Sequence, residues 1–434
     1  MKSRYKSLNA DDVKGLFKKY GLLFLTAVSI TAGQWREKRE IPKEMREPSG
    51  TAENEEILES EWAEQMERGY NLPIDDIERE EAERDCKTVM ESISGIYKLA
   101  EKGSASNTVI ADETITRMAE AVKNTGCPVV SANIYTNMEN YSKMDEFLMA
   151  SRCGKPGEIV TYEILTDGGV KRIKYIFDGT DMYALGTAAE WNKEYKPAVT
   201  YDSYTRIKEW NYTDKGWFVY EYCVPEPPEV SEMIPGGRVL RVKPFDEEYS
   251  SLAKRYLWPP GYQGSNLLCS NWDVNNMGEL DYNGLFEYLY TIKYQRPFPK
   301  DDYESGIPKN EFENMITEYL PITAEQLQKY AVYDEEGKSY EFSTLGCGNF
   351  APSLLGYSIP EIVDKKENPD GTITWVIEAV SAYGKTDALI SHELTVGFRG
   401  DGTIRYMSNH ILDDDLKYVP EYIYRIQNKE RREQ

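Results

Sequence analysis

The chain has 434 residues, 40% of them hydrophobic and 12% aromatic, and its 74 Asp/Glu outweigh 51 Lys/Arg to give a net charge of −23. That length supports two or three domains with cores of their own. An acidic surface of this size repels a phosphate backbone, which argues against nucleic acid as a partner.

Residues 1–35 read as an export signal or membrane anchor. Lys2, Arg4, Lys6, Lys14, Lys18 and Lys19 precede the uncharged run Tyr20 to Trp35, the order of a charged and then an apolar region. As a helix the run would span about 24 Å, short of the ~30 Å hydrocarbon core, with Tyr20 and Trp35 placed as interfacial aromatics. No single cleavage site stands out, and no cysteine follows for lipid attachment. Arg36, Lys38, Arg39, Lys43 and Arg46 put cations on the far side as well, so an amphipathic helix on a cytoplasmic protein is the alternative.

Residues 36–75 form an acidic linker and helical arm. Pro42 and Pro48 interrupt its start, and Thr51 to Asp85 carries fourteen Asp/Glu against Arg68, Arg79 and Arg84. From 76 to 305 a first α+β domain is expected. Apolar residues Val89, Ile93, Ile96 and Leu99 share a helix face, "ADETITRMAEAVKNTG" closes a second helix at Gly126, "CPVVSANIY" reads as a strand and "NYSKMDEFLMA" as a short helix. The period then alternates: "EIVTYEIL", "VKRIKYIF", "DMYALGTAAEW", "DSYTRIKEWNY" and "GWFVYEYCV" predict an antiparallel meander, turned at Asp167-Gly168-Gly169, Asp178-Gly179 and Asp214-Lys215-Gly216. "VPEPPEV" is expected to end it, because prolines cannot donate to a ladder. A helix is expected at "YNGLFEYLYTIKY".

A second α+β domain is expected over 306–420, before a charged tail at 421–434. It opens on helices "KNEFENMITEYL" and "PITAEQLQKYA", the latter with a capping box of Thr323 and Gln326. Strands follow at "SYEF", "EIVDKK", "TITWVIEAV", "DALISHELTVGF" and "TIRYMSNHIL", with turns at Pro369-Asp370-Gly371 and Gly400-Asp401-Gly402. The fold class is therefore α+β: N-terminal helices and a meander, then helices packed on a curled antiparallel sheet, a roll or cone broadly of the nuclear-transport-factor-like kind.

"DGTDMYALGTAAEWN", "YTRIKEWNYTDKGWFVYEYCVPEPPEV", "GYQGSNLLCSNWD", "LDYNGLFEYLY" and "SHELTVGFRGDGTIRY" resemble an uncharacterised family of Gram-positive, clostridial-type proteins classed as a domain of unknown function. The resemblance covers roughly residues 76 to 412 and carries no assigned activity. Members often begin with an export or anchor segment, which agrees with the reading of Tyr20 to Trp35.

His392 and His410 are the only histidines. A hairpin pairing Phe398 with Ile404 would place them opposite each other, where two imidazoles can ligate a metal or exchange protons; neighbouring histidines on a half-buried sheet are more often simply satisfied by hydrogen bonds. Asp273 begins a stretch resembling a calcium loop, but Met277 and Gly284 occupy ligand positions, which rejects an EF-hand and leaves Asp273 a candidate only for a looser calcium site; no metal is expected. Glu287 and Glu378 are the carboxylates to inspect for hydrolytic chemistry. Trp258, Tyr262 and Trp272 are candidates for an exposed platform for a glycan ring or peptide, or for packing into the core. The six cysteines are spaced without a C-x-x-C and read as small buried residues, with disulfides as the alternative. No nucleotide-binding or nucleophile-elbow motif is present, and no cofactor is expected.

These readings favour a non-catalytic, extracytoplasmic protein, membrane-anchored or secreted, that binds a cell-envelope component or protein partner. The alternatives are an extracytoplasmic hydrolase with a carboxylate or histidine site in the second domain, and a cytoplasmic protein.

Overall fold

The computed structural model describes residues 64–102, 108–346, 349 and 353–426. Tyr20 to Trp35, most of the acidic arm and Cys347 lie outside the described residues. The chain forms two compact units, the first ending at Pro244 and the second beginning at Phe245. Residues 245–305, assigned to the first domain from sequence, therefore belong with the second unit.

Unit 1 is built of helices α1 (Asp76–Leu99), α2 (Asp112–Val122) and α3 (Tyr141–Arg152) and strands β1 (Val129–Ser131), β2 (Gly157–Ile164), β3 (Val170–Phe177), β4 (Met182–Trp191), β5 (Pro197–Tyr212), β6 (Trp217–Tyr222) and β7 (Gly237–Arg241). The seven strands form one sheet in sequence order. β1 runs parallel to β2, and every later neighbour is antiparallel. The proline-rich "VPEPPEV" thus leaves the sheet but does not end it, because the chain returns as β7 beside β6.

Helix α1 starts where Asp75 accepts a hydrogen bond from the Ile77 amide, and Asp76 and Glu78 in its first turn face the positive end of the helix dipole. Its apolar stripe, Ala82, Cys86, Val89, Met90, Ile93 and Tyr97, is buried. It lies across β3, β4 and β5, with α2 alongside. Charge fixes it there: buried Arg172 of β3 reaches Asp85 at 2.9 Å, and Lys174 reaches Glu78 at 2.9 Å. On the opposite face α3 packs Phe147 and Leu148 against Ile173, Phe177 and Phe218. Both faces of the sheet are consequently covered.

The sheet curls. On the α3 side, β4 presents Ala184, Gly186 and Ala188, all small, and register shifts interrupt its pairing with β5 and the pairing of β5 with β6. Bulges of this kind increase local twist. Tyr175 of β3 and Tyr220 of β6, whose strands would lie about 14 Å apart in a flat sheet, bring their hydroxyls within 3.1 Å.

Unit 2 contains α4 (Glu247–Leu252), α5 (Tyr282–Tyr294), α6 (Lys309–Tyr319) and α7 (Ala324–Tyr330). Its small sheet has the order β8 (Ile307–Pro308), β10 (Ser339–Tyr340), β9 (Tyr333–Asp334), and its larger one is the meander β11 (Ile359–Glu367), β12 (Ile373–Val380), β13 (Ser391–Phe398) and β14 (Ile404–Ile411). The Thr323–Gln326 capping box opens α7. The C-terminal segment is anchored by Arg425, whose buried guanidinium bonds Glu287, the Gly264 carbonyl and the Tyr288 hydroxyl.

Gly264 lies under that hydroxyl: a Cβ there would sit 1.6 Å from Tyr288 Oη, whereas a Cβ at Gly400 meets nothing within 4 Å. Gly264→Ala is expected to lower unfolding free energy by about 3 kcal/mol through overpacking, and Gly400→Ala to stay within about 0.5 kcal/mol of wild type. Urea denaturation followed by tyrosine fluorescence checks the pair, and equal effects would contradict this packing.

Candidate functional site

The inner, α3-facing side of the curled sheet gathers ionisable groups. Turn Asp167-Gly168-Gly169 sets the β2–β3 register, so Glu163 pairs directly with Lys171. Residues alternate faces along each strand, which places both on the side shared by Tyr175, Tyr220 and Tyr222. Arg238 of β7 pairs with Tyr220. The three phenols form a chain, Tyr175 to Tyr220 at 3.1 Å and Tyr220 to Tyr222 at 3.4 Å. Arg238 lies over the Tyr222 ring at 5.6 Å and donates through Nη1 to the carbonyls of Pro235 and Gly237.

Glu163 is only 5% exposed. Among the described residues its carboxyl makes no hydrogen bond and no ion pair, and neither does the Lys171 amine beside it. Burial raises the Glu163 carboxyl above its ordinary pKa, opposed by the charges of Lys171 and Arg238. Burial lowers the Lys171 amine, opposed by Glu163 and reinforced by Arg238. Burial also lifts all three tyrosines well above the usual phenol range. An acid and an amine shifted towards each other, with empty bonding capacity on both, are equipped to bind a polar group or to exchange protons with it.

A cleft of about 690 Å³ opens elsewhere on unit 1, lined by Arg68, Arg206, Lys208, Glu221, Cys223 and Glu229, and Tyr222 contributes to its wall. The end of the acidic arm forms one side, stitched to β5 by Arg206 N to Gly69 O at 2.7 Å and Leu72 N to Tyr204 O at 2.9 Å. Gly69 has φ +76°, and a Cβ there would approach Cys223 Sγ to 2.8 Å, so glycine serves both the turn and the close approach. The Tyr70 hydroxyl donates to Glu229 across the cleft.

The residues singled out from sequence fall in unit 2 and do not converge. Phe398 does pair with Ile404, but a bulge between Thr395 and Val396 shifts the register by one, so His410 faces Glu393 and His392 faces Ile411. The expected histidine pair is thereby divided between the two faces of the sheet. His392 is fully buried, and His410 is exposed. Asn409 Nδ2 donates to the Leu268 and Ser270 carbonyls, which orients its Oδ1 to accept from His392 Nδ1 at 2.6 Å. His392 Nε2 then accepts from the Tyr262 hydroxyl at 2.9 Å, a neutral imidazole with both nitrogens used.

Tyr262 and Trp272 are buried and Trp258 is half-buried, so they make no exposed platform; Trp272 Nε1 donates to the Leu267 carbonyl. Glu287 serves Arg425 at 2.6 Å. Glu378 lies on β12 opposite Glu361 and Ser391. Asp273 caps its own turn, accepting from the amides of Asn275 and Asn276, and Met277 is buried. Among the described residues no group of three or more His, Cys, Asp or Glu is arranged to hold a metal, and Cys86, Cys127, Cys153, Cys223 and Cys269 are free thiols.

Burial pulls the His392 pKa down to about 4 from an ordinary value of 6.5, with Asn409 opposing. The unfolded chain therefore binds a proton in this window that the folded chain does not, and stability falls as pH drops from about 6.5 towards 4. The loss attributable to His392 is about 3 kcal/mol, and His392→Gln should flatten that part of the profile. Chemical denaturation between pH 4 and 7 checks it; an unchanged slope in the variant refutes it.

No curated protein and no solved structure matches the chain. A model described as a family of unknown function, DUF6070, matches residues 79–425, spanning both the inner face of the curled sheet and the His392 network, and the chain belongs to that family.

Proposed function

We propose that this is a non-catalytic binding protein of the bacterial cell envelope, held at the membrane or released from it by way of Tyr20 to Trp35, whose unit 1 receives a polar small molecule on the inner face of its curled sheet. One observation carries the binding reading: Glu163, only 5% exposed, and half-buried Lys171 stand side by side on paired strands, with neither bonded to the other or to any described neighbour. Burying ionisable groups without partners costs stability. A ligand that supplies the missing partners explains why both are present. The envelope location rests on the cationic residues followed by the apolar run near the N-terminus.

A second reading draws on the same pair. A carboxyl raised and an amine lowered by burial, side by side on paired strands, suit proton transfer, so a hydrolytic or isomerising reaction is the rival at this site. For the second-unit hydrolase, the separation of His392 from His410 removes the arrangement on which that candidate was built.

Two measurements test the proposal. Protease shaving of intact producing cells should remove the chain from the outside, and full protection would refute the envelope location. Native mass spectrometry of protein prepared gently from those cells should show a retained small-molecule mass that is lost in the Glu163→Gln/Lys171→Met double variant. That variant should also be more stable than wild type by about 1 kcal/mol, because it removes unpaired buried charge. A wild-type protein that carries no ligand, together with a destabilised double variant, would mark the pair as structural.

A further inference from the structure

Resting on the binding reading above, the geometry points to the chemical class of the ligand: we infer that the inner face of the curled sheet takes a free zwitterion of the amino-acid type, its carboxylate held by Lys171 and Arg238 and its ammonium by Glu163. Directly opposed residues on antiparallel strands have Cβ atoms about 5 Å apart, so the Glu163 and Lys171 side chains rise together from one point of the sheet. Their charged ends nevertheless form no ion pair. A single partner from outside the chain that pairs with both must carry opposite charges a short distance apart.

Single-sign ligands fail this requirement. A dicarboxylate or phosphate would satisfy Lys171 and Arg238 but set like charge against a buried Glu163, and an alkylamine would do the converse against two cations. A neutral sugar offers hydroxyls but leaves both charges without a counter-charge. A zwitterion pairs with both and adds no net charge to the interior.

Arg238 reinforces the carboxylate side. Only its Nη1 is engaged by the Pro235 and Gly237 carbonyls, so Nη2 and Nε remain available as a fork for a carboxylate. The Tyr175–Tyr220–Tyr222 chain borders the same face with ring surface for a side chain and hydroxyls for polar contact. The inference thus accounts for all three cationic and anionic groups of the cluster with one molecule.

Isothermal titration of the full chain in detergent micelles tests it, using L-alanine, L-leucine, L-tyrosine and D-alanine, each beside its N-acetyl and methyl-ester derivative. Acetylation removes the ammonium, and esterification removes the carboxylate. The expected result is saturable one-to-one binding of at least one free amino acid, with each derivative weaker by about tenfold or more. Glu163→Gln should weaken the free amino acid by a similar factor while leaving the weak affinity of its N-acetyl form unchanged, since that form has no ammonium to lose. The ligand series alone carries the test if the variant fails to fold.

Derivatives that bind as tightly as the parent, and that are still lost in Glu163→Gln, would overturn the zwitterion inference and leave the site standing. Absence of binding by the whole panel overturns the inference. If native mass spectrometry also finds no retained mass, the binding reading falls with it.

Discussion

The architecture of unit 1 depends on the narrowness of one strand. β4 turns Ala184, Gly186 and Ala188 towards α3, and those small residues, with the two register shifts on either side of β5, allow the sheet to curl rather than lie flat. Everything on the inner face follows from that curl. Tyr175 reaches Tyr220 across two intervening strands, and β7, at the far edge of the sheet, carries Arg238 towards residues on β2 and β3. A bulky side chain at Gly186 would stand in that space, where a Cβ already comes within 3.1 Å of Ser203 Oγ. The backbone shape and the polar cluster are thus one feature.

Burial on both faces gives the curl its chemical effect. An antiparallel sheet commonly leaves one face in water, and charges on that face need no explanation. Here α1 packs on one side and α3 on the other, so the charged residues of β3 go to two different environments. Arg172 and Lys174 meet carboxylates of α1 at ion-pair distance, which is how buried charge is normally stabilised. Lys171, one residue away and pointing the other way, meets none. The contrast within a single strand separates charge that fastens a helix from charge that has no structural partner.

The sequence was legible wherever local chemistry decides the outcome. "VKRIKYIF" is β3 to the residue, "YNGLFEYLYTIKY" is α5, and the Thr323–Gln326 box caps α7. The Asp167-Gly168-Gly169 turn, had its register been followed, already places Glu163 against Lys171. What alternation cannot report is whether the polar face of a strand is covered. In "EIVTYEIL" and "VKRIKYIF" no local signal announces that α3 packs on one side of the sheet. The displaced histidines have the same kind of cause. The bulge opposite Thr395 and Val396, which leaves Met407 unpaired in register, has no sequence signature in "TIRYMSNHIL", and with a period of two a shift of one residue sends His410 to the opposite face from His392. The return of β7 has no signal in "VPEPPEV", because prolines exclude a segment from the ladder but say nothing about the chain beyond it.

Unit 2 bonds most of its buried polar groups, with the Ser265 hydroxyl and Gln263 Oε1 as exceptions outside its guanidinium groups. In unit 2, His392 uses both ring nitrogens, Asp281 caps α5 and receives Tyr422 and the Arg425 amide, and Glu287 answers the Arg425 guanidinium. Where a buried guanidinium leaves an atom unbonded, as at Arg425 Nε or Arg172 Nη1, its other nitrogens are bonded. Networks completed in this way specify a packing arrangement and hold it. On the inner face of unit 1 the Glu163 carboxyl and the Lys171 amine make no hydrogen bond or ion pair with a described residue, and Arg238 and the bonded phenols stand on the same face. A fold that satisfies His392 and Asp281 so fully has the means to satisfy Glu163 and Lys171, for instance by a direct ion pair between residues already opposed in register. That it keeps them apart, against the stability such a pair would restore, is the pattern expected of side chains held ready for a partner that arrives from solution.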